Sequence, residues 1–278
     1  MDLERDYGLT ATSLEPHAGG FATDGWVADG RWFVKVWKVG EPPVGLERLG
    51  ELRALGLPVV EPLRTVRGEL YATSGARAYA VFPYLKGRTA RWDDSRIAAR
   101  ALRQLHDVPV RVHLPPAHTD EPAIRELGRQ LRHPWIAGRA EEVAAAIERL
   151  DETRARLKGK AVRNVVCHTD FHGLNLLLDD DGAVEAILDW ESAVIGPREF
   201  DLWVGADGGD ELANFLDEYG AEDLDLDHLE FALLARGLRD LAARVLNSVD
   251  RPGVDTWGFD RIARLDRDLE VFRPYCRS

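Results

Sequence analysis

The sequence predicts an α+β protein of two lobes, β-rich over residues 1–85 and mainly helical over 86–278. Three observations carry this. Before Gly87, short runs rich in Val, Trp, Phe and Tyr are punctuated by Gly, Pro and Asp, the pattern of strands and turns. After Gly87, apolar residues recur at three- and four-residue spacing, the signature of helices with one buried face. Within the helical half, one short stretch reverts to a strand pair around Asp179-Asp180-Asp181-Gly182.

In order along the chain, the runs Gly25–Ala28 and Arg31–Trp37 flank Asp29-Gly30, a dipeptide that favours a tight hairpin. From about Val44 to Leu55, leucines at 46, 49, 52 and 55 predict a helix, stopped by Gly56 with Pro58 beyond. Val59–Leu63, Glu69–Thr73 and Ala78–Leu85 read as further strands. Helices are predicted over Arg96–His106, Glu121–Leu131, Arg139–Leu157, Leu226–Leu246 and Thr256–Phe272. The hairpin in the second half is predicted as Leu174–Leu178 and Val184–Leu188.

Composition narrows the functional classes. Hydrophobic residues make up 45% and charged residues 30% of the 278, which suits a soluble domain with a buried core. No run approaches the roughly 18–20 apolar residues a membrane span requires. The first residues are charged, unlike a secretory signal. Two cysteines, Cys167 and Cys276, lack metal-ligand spacing and fit a reducing compartment, so the expected location is the cytoplasm. The formal charge is −12, and eleven acidic residues but no Lys or Arg lie between Asp201 and Glu230. Nucleic-acid binding is therefore not expected, because phosphate recognition needs a basic surface. Such an acidic stretch either keeps the surface solvated or concentrates a cationic ligand.

The stretch with most chemistry is Val165-Val166-Cys167-His168-Thr169-Asp170-Phe171-His172-Gly173-Leu174-Asn175. It delivers a His-x-Asp-x-x-x-x-Asn loop from an apolar strand, and Asp189 follows Asn175 by fourteen residues at the end of the hairpin's second strand. A hairpin of that length brings Asp189 back beside Asn175. Phosphoryl transfer needs such an arrangement: a carboxylate for the acceptor hydroxyl and hard oxygen ligands for Mg²⁺. Lys35, in the alternating run Arg31–Trp37, is the candidate to hold the nucleotide phosphates, oriented by a carboxylate of the following helix. Glu47 and Glu51 lie on one face of that helix, and Glu51 is favoured.

On these residues the chain resembles the aminoglycoside phosphotransferase and choline kinase family, which has the bilobal protein-kinase-like fold. The resemblance extends to Leu102-x-x-Leu105-His106, Asp189-Trp190-Glu191 and Gly196-Pro197-Arg198-Glu199-Phe200-Asp201-Leu202. Glu61–Leu70 and Ala80–Arg88 look most like the spectinomycin phosphotransferase branch. The resemblance implies that Asp170 is the base, that Asn175 and Asp189 hold Mg²⁺, and that Lys35 holds phosphates of ATP or GTP. It also implies that backbone groups around Phe82, Tyr84 and Leu85 receive the purine, and that His168 and Asp201 support the catalytic loop. The phosphate loop is assigned to Gly19 and Gly20 by position, since no Gly-x-Gly-x-x-Gly occurs. The absence of Asp-Phe-Gly, His-Arg-Asp and Ala-Pro-Glu points away from protein kinases.

The implied acceptor is a small cationic molecule, an aminoglycoside or aminocyclitol-like antibiotic, with Asp207, Asp210, Glu211 and Asp240 as candidate contacts. Asp240 also stands four residues after Arg236, the spacing of an intrahelical ion pair. The competing acceptors are choline-like amines, sugars and amino alcohols. Two other classes compete: a His168-Asp170-His172 metal triad, disfavoured because Gly173 and a strand follow, and a catalytically silent nucleotide-binding module.

Overall fold

The computed structural model describes residues 1–17, 23–38, 45–91, 94–203, 209–247 and 256–277, the side chains of 209, 210 and 247 excepted. By packing, the chain divides into two compact units. The first comprises Met1–Trp92, Arg111–Leu114 and His172–Ala193; the second comprises Asp93–Val110, Pro115–Phe171 and Val194–Ser278.

The first unit is built on a five-stranded antiparallel sheet of β1 (Leu14–His17), β2 (Thr23–Ala28), β3 (Trp32–Trp37), β4 (Ala72–Ser74) and β5 (Arg77–Pro83), in the order β1-β2-β3-β5-β4. Asp29 and Gly30 both have positive φ, 50° and 62°, so the β2–β3 hairpin turns as the Asp-Gly dipeptide predicts. Val34, Val36, Tyr79 and Val81 alternate into a core that also holds Ala72 and Tyr7 of the short helix α1 (Leu3–Tyr7). Helix α2 (Leu46–Ala54) buries Leu46, Leu49 and Leu52, the three-residue stripe that predicts it.

Val59–Leu63 does not form a strand. Pro58 and Pro62 supply no N–H to a ladder. The segment instead makes one bridge from Val59 to Ile187, while the Leu63 N–H reaches Val81 O at 2.7 Å. Glu69–Thr73 likewise contracts to β4. A smaller sheet in this unit joins β6 (Arg88–Thr89) to the hairpin β8 (Leu176–Leu178) and β9 (Val184–Ile187). The sequence-based boundary at residue 85 gave this hairpin to the helical half. It packs with the first unit because β6 pairs with β8 and the Ile187 N–H donates to Pro58 O at 2.7 Å.

The second unit carries helices α3 (Ser95–Asp107), α4 (Pro122–Arg129), α5 (Ala140–Leu157), α6 (Gly209–Tyr219), α7 (Leu226–Asn247) and α8 (Trp257–Phe272), with the pair β7 (Asn164–Cys167) and β10 (Val194–Pro197). Helix α6 falls in the acidic stretch, where no helix is predicted; Leu212, Phe215, Leu216 and Tyr219 bury one face of it. Helices α7 and α8 meet at Gly237 and Gly258, where a Cβ on Gly258 would stand 2.6 Å from the Gly237 carbonyl oxygen. Among the described residues, no helix is long and apolar enough to cross a membrane.

Candidate active site

The catalytic-loop motif crosses the division of the chain, with His168–Phe171 in the second unit and His172–Asp189 in the first. Each unit holds its own constellation.

In the first unit, β3 carries Lys35 between the buried neighbours Val34 and Val36. Its ammonium forms ion pairs with both Asp189 and Glu191. Burial opposes charge on Lys35, but the carboxylates of Glu191 and then Asp189 outweigh it and raise its pKa. Burial pushes Glu191 up as well, more than the ammonium pulls it down. The hairpin brings these groups together by register: Leu176 faces Ile187, and the Leu188 N–H donates to Asn175 O at 2.8 Å. Asp189 sits at φ 63° and ψ 57°. For a non-glycine residue this conformation costs about 1–3 kcal/mol, strain characteristic of functional positions. The Trp190 indole donates to Ile187 O at 2.8 Å and pins the turn that follows. Two carboxylates sharing one ammonium leave a net negative charge and present hard oxygens. This donor set fits Mg²⁺.

Glu51 does not serve as the partner of Lys35. It accepts from the His113 backbone N–H at 2.8 Å and lies 3.1 Å from His113 Nδ1. Glu47 is exposed. A carboxylate from the hairpin, Glu191, takes the place expected for one from α2. Phe82 lies in β5, and the Tyr84 N–H is already committed to Arg31 O at 2.8 Å. Gly19 and Gly20 lie outside the described residues.

In the second unit, β7 delivers the loop and Asp201 braces it. Asp201 is fully buried. Its Oδ2 accepts from the His168 N–H at 2.8 Å and its Oδ1 from the Thr169 N–H at 2.5 Å. His106 Nε2 lies 3.1 Å from Oδ2, and His106 Nδ1 lies 2.7 Å from the Tyr219 hydroxyl. Burial pushes the Tyr219 hydroxyl up, so it stays a donor. Thr169 has φ 64°, and the brace holds this strained residue just before Asp170. His168 is also fully buried, and its Nδ1 accepts from the Asp170 N–H at 3.3 Å. His106, Cys167 and Asp201 place donor atoms within 4.8 Å of one another. They form a hydrogen-bonded brace: His106 uses both ring nitrogens, and the Cys167 thiol points at Pro197 O, 3.2 Å away.

Asp170 is ion-paired with Arg236, whose Nη1 donates to Oδ1 at 2.6 Å. Asp240 lies 3.3 Å from Arg236 and 3.4 Å from Arg261. It is thus engaged in the ion-pair role rather than turned to an acceptor. Glu211 is exposed on α6; Asp207 and the side chain of Asp210 lie outside the described residues. No motif announces Arg236. Its only sequence signal is the four-residue spacing to Asp240.

Solved structures with this fold include the spectinomycin phosphotransferase APH(9)-Ia in complex with ADP and spectinomycin (TM-score 0.69, 19% identity, covering 97% of this chain and 94% of that one). They include the GDP and kanamycin complex of APH(2")-IIia (0.64, 15%, 96% of each chain). A choline/ethanolamine kinase family protein from Mesorhizobium loti also matches (0.62, 16%, 94% and 92%). At these identities the likeness establishes the kinase-like α+β fold. An uncharacterized protein of Deinococcus radiodurans is 31% identical over 224 residues, 73% of this chain, and the chain spans 64% of that protein's length. The model of the APH phosphotransferase enzyme family matches residues 13–234, which include Lys35, Asp170, Asn175, Asp189 and Glu191, and the chain belongs to that family.

Proposed function

We propose that the protein transfers the γ-phosphate of ATP or GTP to a hydroxyl of a small acceptor of the aminoglycoside or aminocyclitol kind. The observation that carries this reading is the Lys35 ammonium held between Asp189 and Glu191 at the end of the hairpin that the Asp170 loop enters. Family membership supports it. In this reading Asp170 accepts the proton as the acceptor oxygen bonds to the γ-phosphorus and the bond to the nucleoside diphosphate breaks. Lys35 holds phosphate oxygens, and Leu85 N–H with the Tyr84 carbonyl receives the purine. Asp189 and Asn175 would hold Mg²⁺, which would supply positive charge near the transferring phosphoryl group. We place the enzyme in the cytoplasm, where nucleoside triphosphates are available.

The test is release of ADP or GDP with spectinomycin, kanamycin, hygromycin B and choline as acceptors. Asp170→Ala should lower kcat on the order of 10²-fold while the nucleotide dissociation constant changes less than about twofold. A variant retaining more than about a tenth of wild-type kcat removes Asp170 from the role of base.

A further inference from the structure

Asp170 finds its cationic partner 66 residues along the chain, on α7. Arg236 Nη1 donates to Asp170 Oδ1 at 2.6 Å, while Arg236 Nε lies 3.3 Å from Asp240 Oδ1. The same guanidinium lies over the ring of the buried Trp203, with Cζ 4.2 Å from its centroid. Arg261, on α8, approaches the second Asp240 oxygen at 3.4 Å and the same indole at 4.9 Å. Two guanidiniums therefore share one aromatic platform and face two carboxylates, with their formal charges balanced. Burial works against the charge on Arg236, but Asp240 and then Asp170 outweigh it, so the side chain stays a cation.

This arrangement restrains Arg236 far more than an exposed ion pair would. A surface arginine facing a carboxylate loses side-chain entropy for little gain. Here Asp240 faces the guanidinium as an ion-pair partner and Trp203 limits its plane, so Nη1 presents itself to Asp170 in one direction. The last torsion of an aspartate is broad, and a fixed donor on one oxygen narrows it. A base aimed poorly at its proton loses rate steeply, because misplacement by about 1 Å can cost on the order of 10²-fold.

We propose that Arg236 is the positioning residue of this enzyme's base, fixing the Asp170 carboxylate through Oδ1, and that Asp240 and Arg261 hold Arg236 for that task. The inference rests on the reading of Asp170 as base. It also gives Asp240 a role in catalysis through Arg236 rather than through contact with the acceptor.

The experiment uses the full chain, ATP with Mg²⁺, and whichever acceptor of the panel above gives most ADP. Arg236→Met, Arg236→Lys and Asp240→Asn are compared with wild type, each rate being divided by the number of ATP-binding sites titrated. Arg236→Met should lower kcat per binding site by at least about tenfold with the KM for ATP within about twofold of wild type. Arg236→Lys should fall between the two, because a single ammonium can replace the contact to Oδ1 but not the one to Asp240. Should Arg236→Met fail to fold, Asp240→Asn decides: it frees Arg236 while leaving the fold nearly isosteric, and should lower kcat about threefold or more. A kcat per site within twofold of wild type in Arg236→Met, or in Asp240→Asn when that variant decides, overturns the positioning role. So does a lysine variant no better than the methionine one. Absence of transfer by wild type itself overturns the kinase reading and this inference with it, whereas wild-type transfer with unaffected variants overturns this inference alone.

Discussion

Lys35, Asp189 and Glu191 form the most informative group in the first unit. One ammonium faces two carboxylates, and Glu191 is held above the ordinary carboxylate range by burial despite its ion pair. On the proposed function, a nucleotide phosphate takes the lysine and a divalent cation takes the carboxylates. Lys35→Met leaves the two carboxylates without their cation and, on the proposed function, the phosphates without a partner. Initial rates against varied Mg·ATP should show the KM for ATP raised at least about tenfold, the KM for acceptor changing much less. An unchanged KM for ATP would remove Lys35 from the phosphate site.

Among the secondary-structure elements, the crossing of α7 and α8 decides where the arginines stand. Gly237 and Gly258 let the two backbones approach, and a Cβ on Gly258 would also lie 2.7 Å from the Leu241 side chain. Neither glycine has a positive φ, so each is needed for space rather than for backbone freedom. Gly258→Ala should therefore destabilise the fold by about 1–3 kcal/mol, the usual range for overpacking a tight contact. Denaturant titration measures this. The variant should also lower kcat, because the helix that moves carries Arg261. A Gly258→Ala protein as stable as wild type would show that the crossing has room to yield.

At the scale of the whole molecule, several acids of the stretch from Asp201 to Glu230 are committed to ion pairs within the second unit. Asp225 and Asp227 meet Lys160, Asp227 and Glu230 meet Arg156, Glu230 also meets Arg149, and Glu218 meets Arg100. These acids hold α5 to α7 and α3 to α6, so they are poor candidates for attracting a cationic acceptor. The candidates proposed for steering an acceptor, Asp207, Asp210 and Glu211, are not among these paired acids. Burial opposes the charge on Asp225, yet Lys160 and His228 outweigh it and bring its pKa down to about 2. A depressed carboxylate pKa stabilises the fold fully above the unfolded value near 4, and that contribution is lost as pH falls toward 2. Asp225→Asn should thus melt below wild type at pH 7, and the difference should shrink toward zero between about pH 4 and 2. In salt titrations, Asp225→Asn should leave the slope of kcat/KM unchanged, whereas neutralising Asp207, Asp210 and Glu211 together should flatten it. A melting difference that persists unchanged at pH 2 would refute the ion-pair account of Asp225.

The sequence by itself determined the β2–β3 hairpin, β5, most of the helices and the segment that carries Asp170, Asn175 and Asp189. Those features are local. Alternation writes β3 and β5, leucine spacing writes α2 and α7, and a fourteen-residue hairpin returns Asp189 beside Asn175 wherever the rest of the chain lies. Helix α6 was equally local, but its acids masked the apolar face of Leu212, Phe215, Leu216 and Tyr219. Tertiary structure decided which charge meets which. Lys35 pairs with Glu191 across 156 residues, while Glu51, near it in sequence, turns to His113. Arg236 reaches Asp170 because α7 lies beside Trp203 and closes on α8 through two glycines. An ion pair depends on where two side chains end in space, and a periodic pattern records only which face of an element is buried.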